Sequence, residues 1–239
     1  MRVPVLCYHR IEVPPPGAED DSNFVTPVRF AEHLRTLKSF GYSAVTVRDI
    51  ARWQQGAAPL PPRSIAITFD DAYESVLRHA IPVLEAYSWP CTIYVVSSQL
   101  GGTNRWDDTA PRTQLLNAGA LTALAHAGHE IGSHSRNHRR IRGLDDATAR
   151  DELRISRASL ESAVGAPIDS FAFPYGSHDA RSMQLVRDAG YGSACTLKRW
   201  ANGRRTNPMR LGRMSVGGPL SVQMFAMKLL KVHLTPSRG

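Results

Sequence analysis

Apolar residues along the 239-residue chain fall into short unbroken runs, and between the runs they recur every three or four positions. RVPVLCY (residues 2–8), YSAVTV (42–47), IAITF (65–69), CTIYVV (91–96) and HEIGSH (129–134) read as strands, as do DSFAF (169–173), YGSACTL (191–197) and RLGRMSV (210–216). The stretch 26–41 predicts a helix. Thr26 caps it, Pro27 suits its first turn, Phe30, Leu34 and Leu37 form one apolar stripe, and Gly41 stops it. A short helix to Gln55 follows, then one over 73–87 that Pro82 must kink or interrupt. Further helices are predicted over 113–126, over 145–165, where Leu153, Leu160 and Val164 share a face, and over 180–189. The Pro-rich segment 13–23 and the stretches 57–64 and 101–112 read as loops. This alternation predicts a parallel sheet flanked by helices, either open and doubly wound or closed into a barrel. With no repeat and no linker, residues 1–239 are expected to form one α/β domain that ends in a helix or tail over 217–239.

The polar residues separate the two architectures. Asp70 and Asp71, His134, and the PYG of 174–176 each follow a different apolar run at its C-terminal end. In a (β/α) barrel those ends share one rim, where active sites are built.

Composition narrows the picture further. Hydrophobic residues make up 42% of the chain, enough for a sizeable core, and no apolar run approaches the roughly 20 residues of a spanning helix. The opening MRVPVLCYHRIEVPPPG has no leader-like cleavage pattern, so a cytoplasmic location is expected. Cys7, Cys91 and Cys195 are an odd, widely spaced set in apolar contexts, which reads as buried reduced thiols. The net charge of +8 and a pI near 9.8 suit an anionic partner. No basic tract interleaved with aromatics accompanies that charge, so nucleic acid is not expected. Basic and apolar residues mixed in MFAMKLLKVHLTPSRG suit peripheral contact with an anionic membrane.

The adjacent carboxylates Asp70 and Asp71 raise the first chemical question. Consecutive strand residues point to opposite faces, so the two can share a site only where the strand turns into a loop. There a divalent cation would let one carboxylate ligate while the other accepts a proton; the plainer alternative is a helix N-cap. His134 and His138 are four apart, so on a helical turn both imidazoles could bind one metal. Ser135 stands where an HExxH metalloprotease helix would have Glu. Two His and one Asp form a facial ligand set that leaves positions open. Pro174 and Gly176 around Tyr175 force a tight turn, able to aim a backbone N–H at an oxyanion or to serve as an ordinary surface turn.

Taken together, TFDDA (68–72), HSRNH (134–138) and AFPYG (172–176) resemble, in order, the TFDD(G/A), HSxxH and RxPYG motifs of the polysaccharide deacetylases with a NodB-homology domain. YHRI at 8–11, FAEHLRTLKSFGYSAVT and ELRISRASLESAVG are also similar to the poly-N-acetylglucosamine deacetylase branch. The resemblance covers roughly residues 3–216. It implies a distorted (β/α) barrel of about seven parallel strands, a metal-dependent N-deacetylase activity and acetylated amino-sugar substrates. By family roles Asp70 is the base, Asp71, His134 and His138 hold the metal (Zn²⁺ first, with Co²⁺ or Ni²⁺ also fitting), and the Tyr175 N–H helps form the oxyanion hole. The amino sugar could belong to a finished glycan or to a lipid-linked or nucleotide-linked precursor.

Three positions depart from the family pattern. Ala172 stands where the motif has Arg, and Arg213 at another strand end is a candidate replacement or a surface residue. The C-terminal LxH that supplies the general acid is not evident. His9 of YHRI is nominated over His233 of KVH. In GGTNRWDD no clear Asp-x-x-Trp element stands, and Trp106 and Asp107 are candidates to line the sugar site together with Pro174 and Arg213. The alternatives are an amidase for another C–N bond, a catalytically inactive sugar-binding relative, and a basic protein that merely inherited the barrel.

Overall fold

The computed structural model describes residues 1–17, 23–109, 111–218 and 220–235. Residues 18–22 of the Pro-rich loop, Ala110 of the 101–112 segment, and Pro219 and 236–239 of the expected tail lie outside the described residues.

Seven strands follow one another around a curled parallel sheet: β10 (Met214–Ser215), β1 (Val5–Tyr8), β5 (Ser64–Phe69), β6 (Thr92–Val95), β7 (Glu130–Ser133), β8 (Ser170–Ala172) and β9 (Ser193–Cys195). An eighth, β4 (Ser43–Val45), pairs with the first half of β5, from Ser43 opposite Ser64 to Val45 opposite Ala66. β6 then takes over beside Thr68 and Phe69. One segment closes the ring: Leu211 bridges Cys195 of β9, and three residues later Met214 pairs with Leu6 of β1. The architecture is therefore the distorted (β/α) barrel. A small separate pair, β2 (Arg10–Ile11) and β3 (Phe24–Val25), lies beyond the end of β1.

Helices cover the outside: α1 (Pro27–Ser39), α2 (Val47–Gln54), α3 (Ile81–Glu85), α4 (Ala118–His126), α5 (Asp146–Val164), α6 (Ala180–Asp188) and α7 (Val222–Leu234). The expected stripe of α1 is its buried face, with Thr26 accepting the Arg29 N–H at 3.3 Å. Pro82 has the predicted effect: a π-helical turn over Val76–Ala80 precedes the short α3. The helix expected over 113–126 begins only at Ala118. Asn117 caps it, and Gln114 and Leu115 instead form antiparallel bridges to Thr103 and Tyr73. Those bridges tie the 101–115 segment across the barrel mouth.

Strand alternation sorts the core into two parts. Leu6, Tyr8, Ile65, Ile67, Phe69, Ile93 and Phe171 point outward against the helices. Val5, Ala66, Tyr94, Ala172, Cys195 and Leu211 fill the interior, which Val47, Ile50 and Trp53 of α2 seal at one end. Tyr94 crosses this interior to donate its hydroxyl to Cys195 Sγ at 3.3 Å. It can do so because Gly132 has no side chain: a Cβ there would sit 2.6 Å from the Tyr94 ring. All three cysteines are buried and free.

Candidate active site

Asp70 follows β5 directly, its N–H donating to the Tyr8 carbonyl at 2.9 Å, so its side chain continues the inward series Ala66, Thr68. There it meets Arg213, which is fully buried just before β10. The guanidinium donates to both carboxylate oxygens, Nη1 to Oδ1 at 2.6 Å and Nη2 to Oδ2 at 2.8 Å. Nη1 also reaches Thr68 Oγ1 at 3.1 Å, and Nε donates to the Thr196 carbonyl at 3.2 Å. Cys7 donates its thiol proton toward Asp70 Oδ2 at 3.5 Å. Burial by itself would raise the Asp70 carboxyl, but the Arg213 guanidinium, by its charge and its hydrogen bonds, overrides it and holds it well below the usual carboxylate range.

One residue later the chain turns. Asp71 has φ 72° and Ala72 φ 60°, and this left-handed pair swings Asp71 onto the same side as Asp70. His134 continues the inward face of β7, and its Nδ1 lies 2.8 Å from the Ala172 carbonyl. That partner can only accept, so Nδ1 carries the proton and Nε2 presents a lone pair. The helical turn expected to pair His134 with His138 is absent. The loop instead coils through Ser135 (φ 66°) and His138 (φ 58°), and this brings the second imidazole beside the first. Asp71 Oδ1 lies 3.7 Å from His134 Nε2 and 3.3 Å from His138 Nε2. Burial lowers His134 to about 4 and His138 well below its ordinary value, so both imidazoles are neutral. Burial, with Asp70 beside it, pushes Asp71 up to about 8.

These three donors fit a divalent cation. Asp71 Oδ1 is buried without a hydrogen-bond partner, yet two imidazole nitrogens face it. Ligand atoms from Asp71, His134 and His138 all lie within 4.8 Å of one another. Of the seven described non-glycine residues with positive φ, five stand here: Asp71, Ala72, Ser135, His138 and Tyr175. Backbone strain of roughly 1–3 kcal/mol per residue has accumulated where the ligands converge.

A cavity of about 200 Å³ opens above these groups. His9, Trp106, Asp107 and Tyr175 line it with Asp70, Asp71, His134 and His138, so four expected residues meet the three expected ligands and the expected base around one space. Tyr175 occupies the turn at φ 59°, its hydroxyl 3.2 Å from His138 Nδ1, and the Trp106 ring stacks on His138 at 4.8 Å. Pro174 and Arg213, expected at the sugar, do not line the cavity. Pro174 is buried beneath the turn, and Arg213 lies under Asp70 as its partner. His233 is elsewhere, on α7, stacked on Tyr42 with Nε2 2.6 Å from the hydroxyl. The sequence reading passed over Cys7, Asn23, Tyr73, Leu197, Ser215 and Val216, which also line the cavity. Cys7 and Ser215 carried a usable signal, since each lies at the end of a strand run. Arg10 of YHRI went unread as well: it is buried between the Phe24 and Tyr73 rings and donates to the Tyr73 hydroxyl at 3.2 Å.

With this geometry in view, comparison with known proteins is decisive. Residues 57–194 match the family described as polysaccharide deacetylase. The chain belongs to that family. It is accordingly a hydrolase of the carbon–nitrogen amide bonds of polysaccharides. It is 22% identical over 224 residues to the polysaccharide deacetylase homologue YxkH of Bacillus subtilis, covering 94% of this chain and 75% of the relative. The poly-β-1,6-N-acetyl-D-glucosamine N-deacetylase of Escherichia coli K12 is 21% identical; that match covers 84% of this chain but only 35% of the relative, so the chain spans about a third of its length. Among solved structures, the Streptococcus pyogenes deacetylase PplD in complex with acetate superposes with a TM-score of 0.83 at 20% identity, covering 99% of both chains. IcaB of Ammonifex degensii gives 0.78 at 24%, over 95% of this chain and 96% of the other. At these identities the superpositions establish a shared fold. Among the described residues no helix is long and apolar enough to cross a membrane.

Proposed function

We propose that the chain is a metal-dependent N-deacetylase that hydrolyses the acetamido group of an N-acetylated amino sugar in a glycan or glycan precursor and releases acetate. The observation that carries this reading is the convergence of Asp71, His134 and His138 beside a separate carboxylate, Asp70, locked in its ionised form by Arg213. A cation held by Asp71, His134 and His138, Zn²⁺ by the preference of imidazole and carboxylate donors and Co²⁺ or Ni²⁺ by the same donors, would supply Lewis acidity at the acetyl carbonyl and acidify the attacking water.

Asp70 accepts the proton of that water as it attacks. Arg213 makes Asp70 a weak base, suited to an acidified water and unsuited to a free one. The Tyr175 N–H, presented by its left-handed turn, stabilises the oxyanion. His9, on the cavity wall close to Asp70, gives its proton to the leaving amine. Trp106 and Asp107 border the sugar. Ala172 would by itself favour an inactive sugar-binding relative, but the guanidinium missing there is replaced by Arg213, so the base keeps its partner.

Acetate release from N-acetylglucosamine oligosaccharides tests the proposal. The expected result is turnover that a chelator stops, that added Zn²⁺ restores, and that Asp70→Asn lacks. Turnover that survives chelation or that substitution would remove the reading.

A further inference from the structure

One wall of the catalytic cavity separates it from a second cleft. Tyr175 and Leu197 line the first, and their chain neighbours Gly176 and Lys198 line the second, a space of about 430 Å³. The ridge between them is thin: Gly176 has φ 63°, and a Cβ on it would lie 2.8 Å from the Leu197 side chain. Arg142, Lys198 and Arg210 line the second cleft, against a single carboxylate, Asp179. That carboxylate already caps α6, accepting the Ser182 N–H at 2.7 Å, while its other oxygen lies 3.6 Å from Arg142 Nε. Among the described residues, three permanent cations and one engaged anion thus line this cleft.

The loop that carries His138 adds to this charge. Arg140 stacks over the Tyr175 ring at 3.8 Å, and Arg136 and Arg139 are exposed beside it. None of these three forms an ion pair among the described residues. Across the cavity the charges of the 101–112 segment balance, Arg105 and Arg112 against Asp107 and Asp108, with Asp108 paired to Arg112 at 2.8 Å. The excess positive charge of the mouth therefore lies on the 174–176 side.

Deacetylation converts a neutral acetamido sugar into an ammonium. A neutral homopolymer would become a polycation against a cationic rim, and the rim would oppose both its binding and its further processing. The same rim attracts a chain that brings negative charge. Building on the deacetylase reading, we infer that the substrate is an anionic glycan, in which the acetamido sugar in the catalytic cavity is followed, toward the Arg142–Lys198–Arg210 cleft, by a unit bearing a phosphate or carboxylate.

The test uses the metal-loaded enzyme and three oligosaccharides of equal length: neutral N-acetylglucosamine units, the same with a phosphodiester, and the same with a uronate. At low salt kcat/KM should be about tenfold higher for an anionic oligomer than for the neutral one, and high salt should erase the difference. The better of the two anionic oligomers identifies the group. Arg142→Glu with Lys198→Glu should cut the anionic-to-neutral ratio about tenfold. Equal rates on all three, with acetate released, overturn the inference and leave the deacetylase reading standing. Should no acetate appear, titration of the same oligomers into the Asp70→Asn protein still decides. Tighter, salt-sensitive binding of an anionic oligomer that the double reversal abolishes upholds the inference, and indifference to charge overturns it.

Discussion

The two ends of this barrel each bury a carboxylate, and they treat it in opposite ways. At the closed end Glu130 Oε2 accepts from Thr92 Oγ1 at 2.8 Å and from the Arg48 N–H at 2.9 Å, in the first turn of α2. The Val47 N–H donates to Thr92 Oγ1 at 3.1 Å, and a Thr46–Asp49 capping box secures the same helix start. Burial still raises Glu130, and the Arg48 N–H and the Thr92 hydroxyl offset it only in part. At the open end Asp71 has neither helix nor N–H groups at Oδ1, only two neutral imidazoles. Glu130 Oε1 and Asp71 Oδ1 both lack a hydrogen-bond partner among the described residues, but donors of the chain engage the other Glu130 oxygen, whereas Asp71 Oδ1 faces two imidazole nitrogens, an arrangement that a cation would complete. A buried carboxylate held by backbone and hydroxyl donors joins two elements of a fold, and one that faces two imidazole nitrogens makes no such join.

The largest effect should come from Asp70→Asn, which is expected to lower kcat by about 10²–10⁴-fold with the barrel intact, as measured by acetate release and circular dichroism. Arg213→Ala leaves Asp70 charged, buried and unpaired. It should cost about 3–5 kcal/mol in a denaturant titration as well as activity. At the closed end Glu130→Ala strands the Arg48 N–H and the Thr92 hydroxyl, for a loss of about 2–3 kcal/mol, while activity per folded molecule persists. If Glu130→Ala abolishes activity in a folded protein, the contrast between the ends fails.

A smaller effect sharpens the contrast. In metal-free protein the folded state keeps the Asp71 proton to about pH 8, whereas an unfolded Asp releases it near 3.8, so stability falls as pH rises through that window. His134, lowered to about 4 from 6.5, opposes this below pH 6.5, where folded protein binds fewer protons. Above pH 6.5 the opposition from His134 ends, and the Asp71 contribution should lower metal-free stability by about 1–2 kcal/mol toward pH 8. Asp71→Asn or added Zn²⁺ should flatten it; a slope that persists in both places the titration elsewhere. The smallest effect, a severalfold rise in KM with kcat nearly kept, is expected for Trp106→Ala, checked with an oligosaccharide substrate.

Strand runs, the α1 and α5 stripes, the Pro82 interruption and the paired motifs were all legible along the chain, because each rests on neighbours a few residues apart. The helix start at Ala118 was not, since Gln114 and Leu115 had helical spacing but found strand-like partners 11 and 42 residues earlier, at Thr103 and Tyr73. The relation of His134 to His138 was legible as a pair and misread as a helix. Spacing four apart fits both a helical turn and a loop with left-handed residues, and only packing chooses between them.

By itself the sequence singled out the candidate side chains, two acids, two imidazoles and a Pro-Tyr-Gly turn, at or just beyond the ends of strand runs. Only the tertiary structure decided which arginine serves Asp70, that His9 and not His233 borders the cavity, and that Asp71 Oδ1 faces two imidazole nitrogens. The reason is ring closure: Leu211 joins β9 as Met214 joins β1, which sets Arg213 across the barrel from residues more than a hundred positions away. No local pattern encodes a contact of that range.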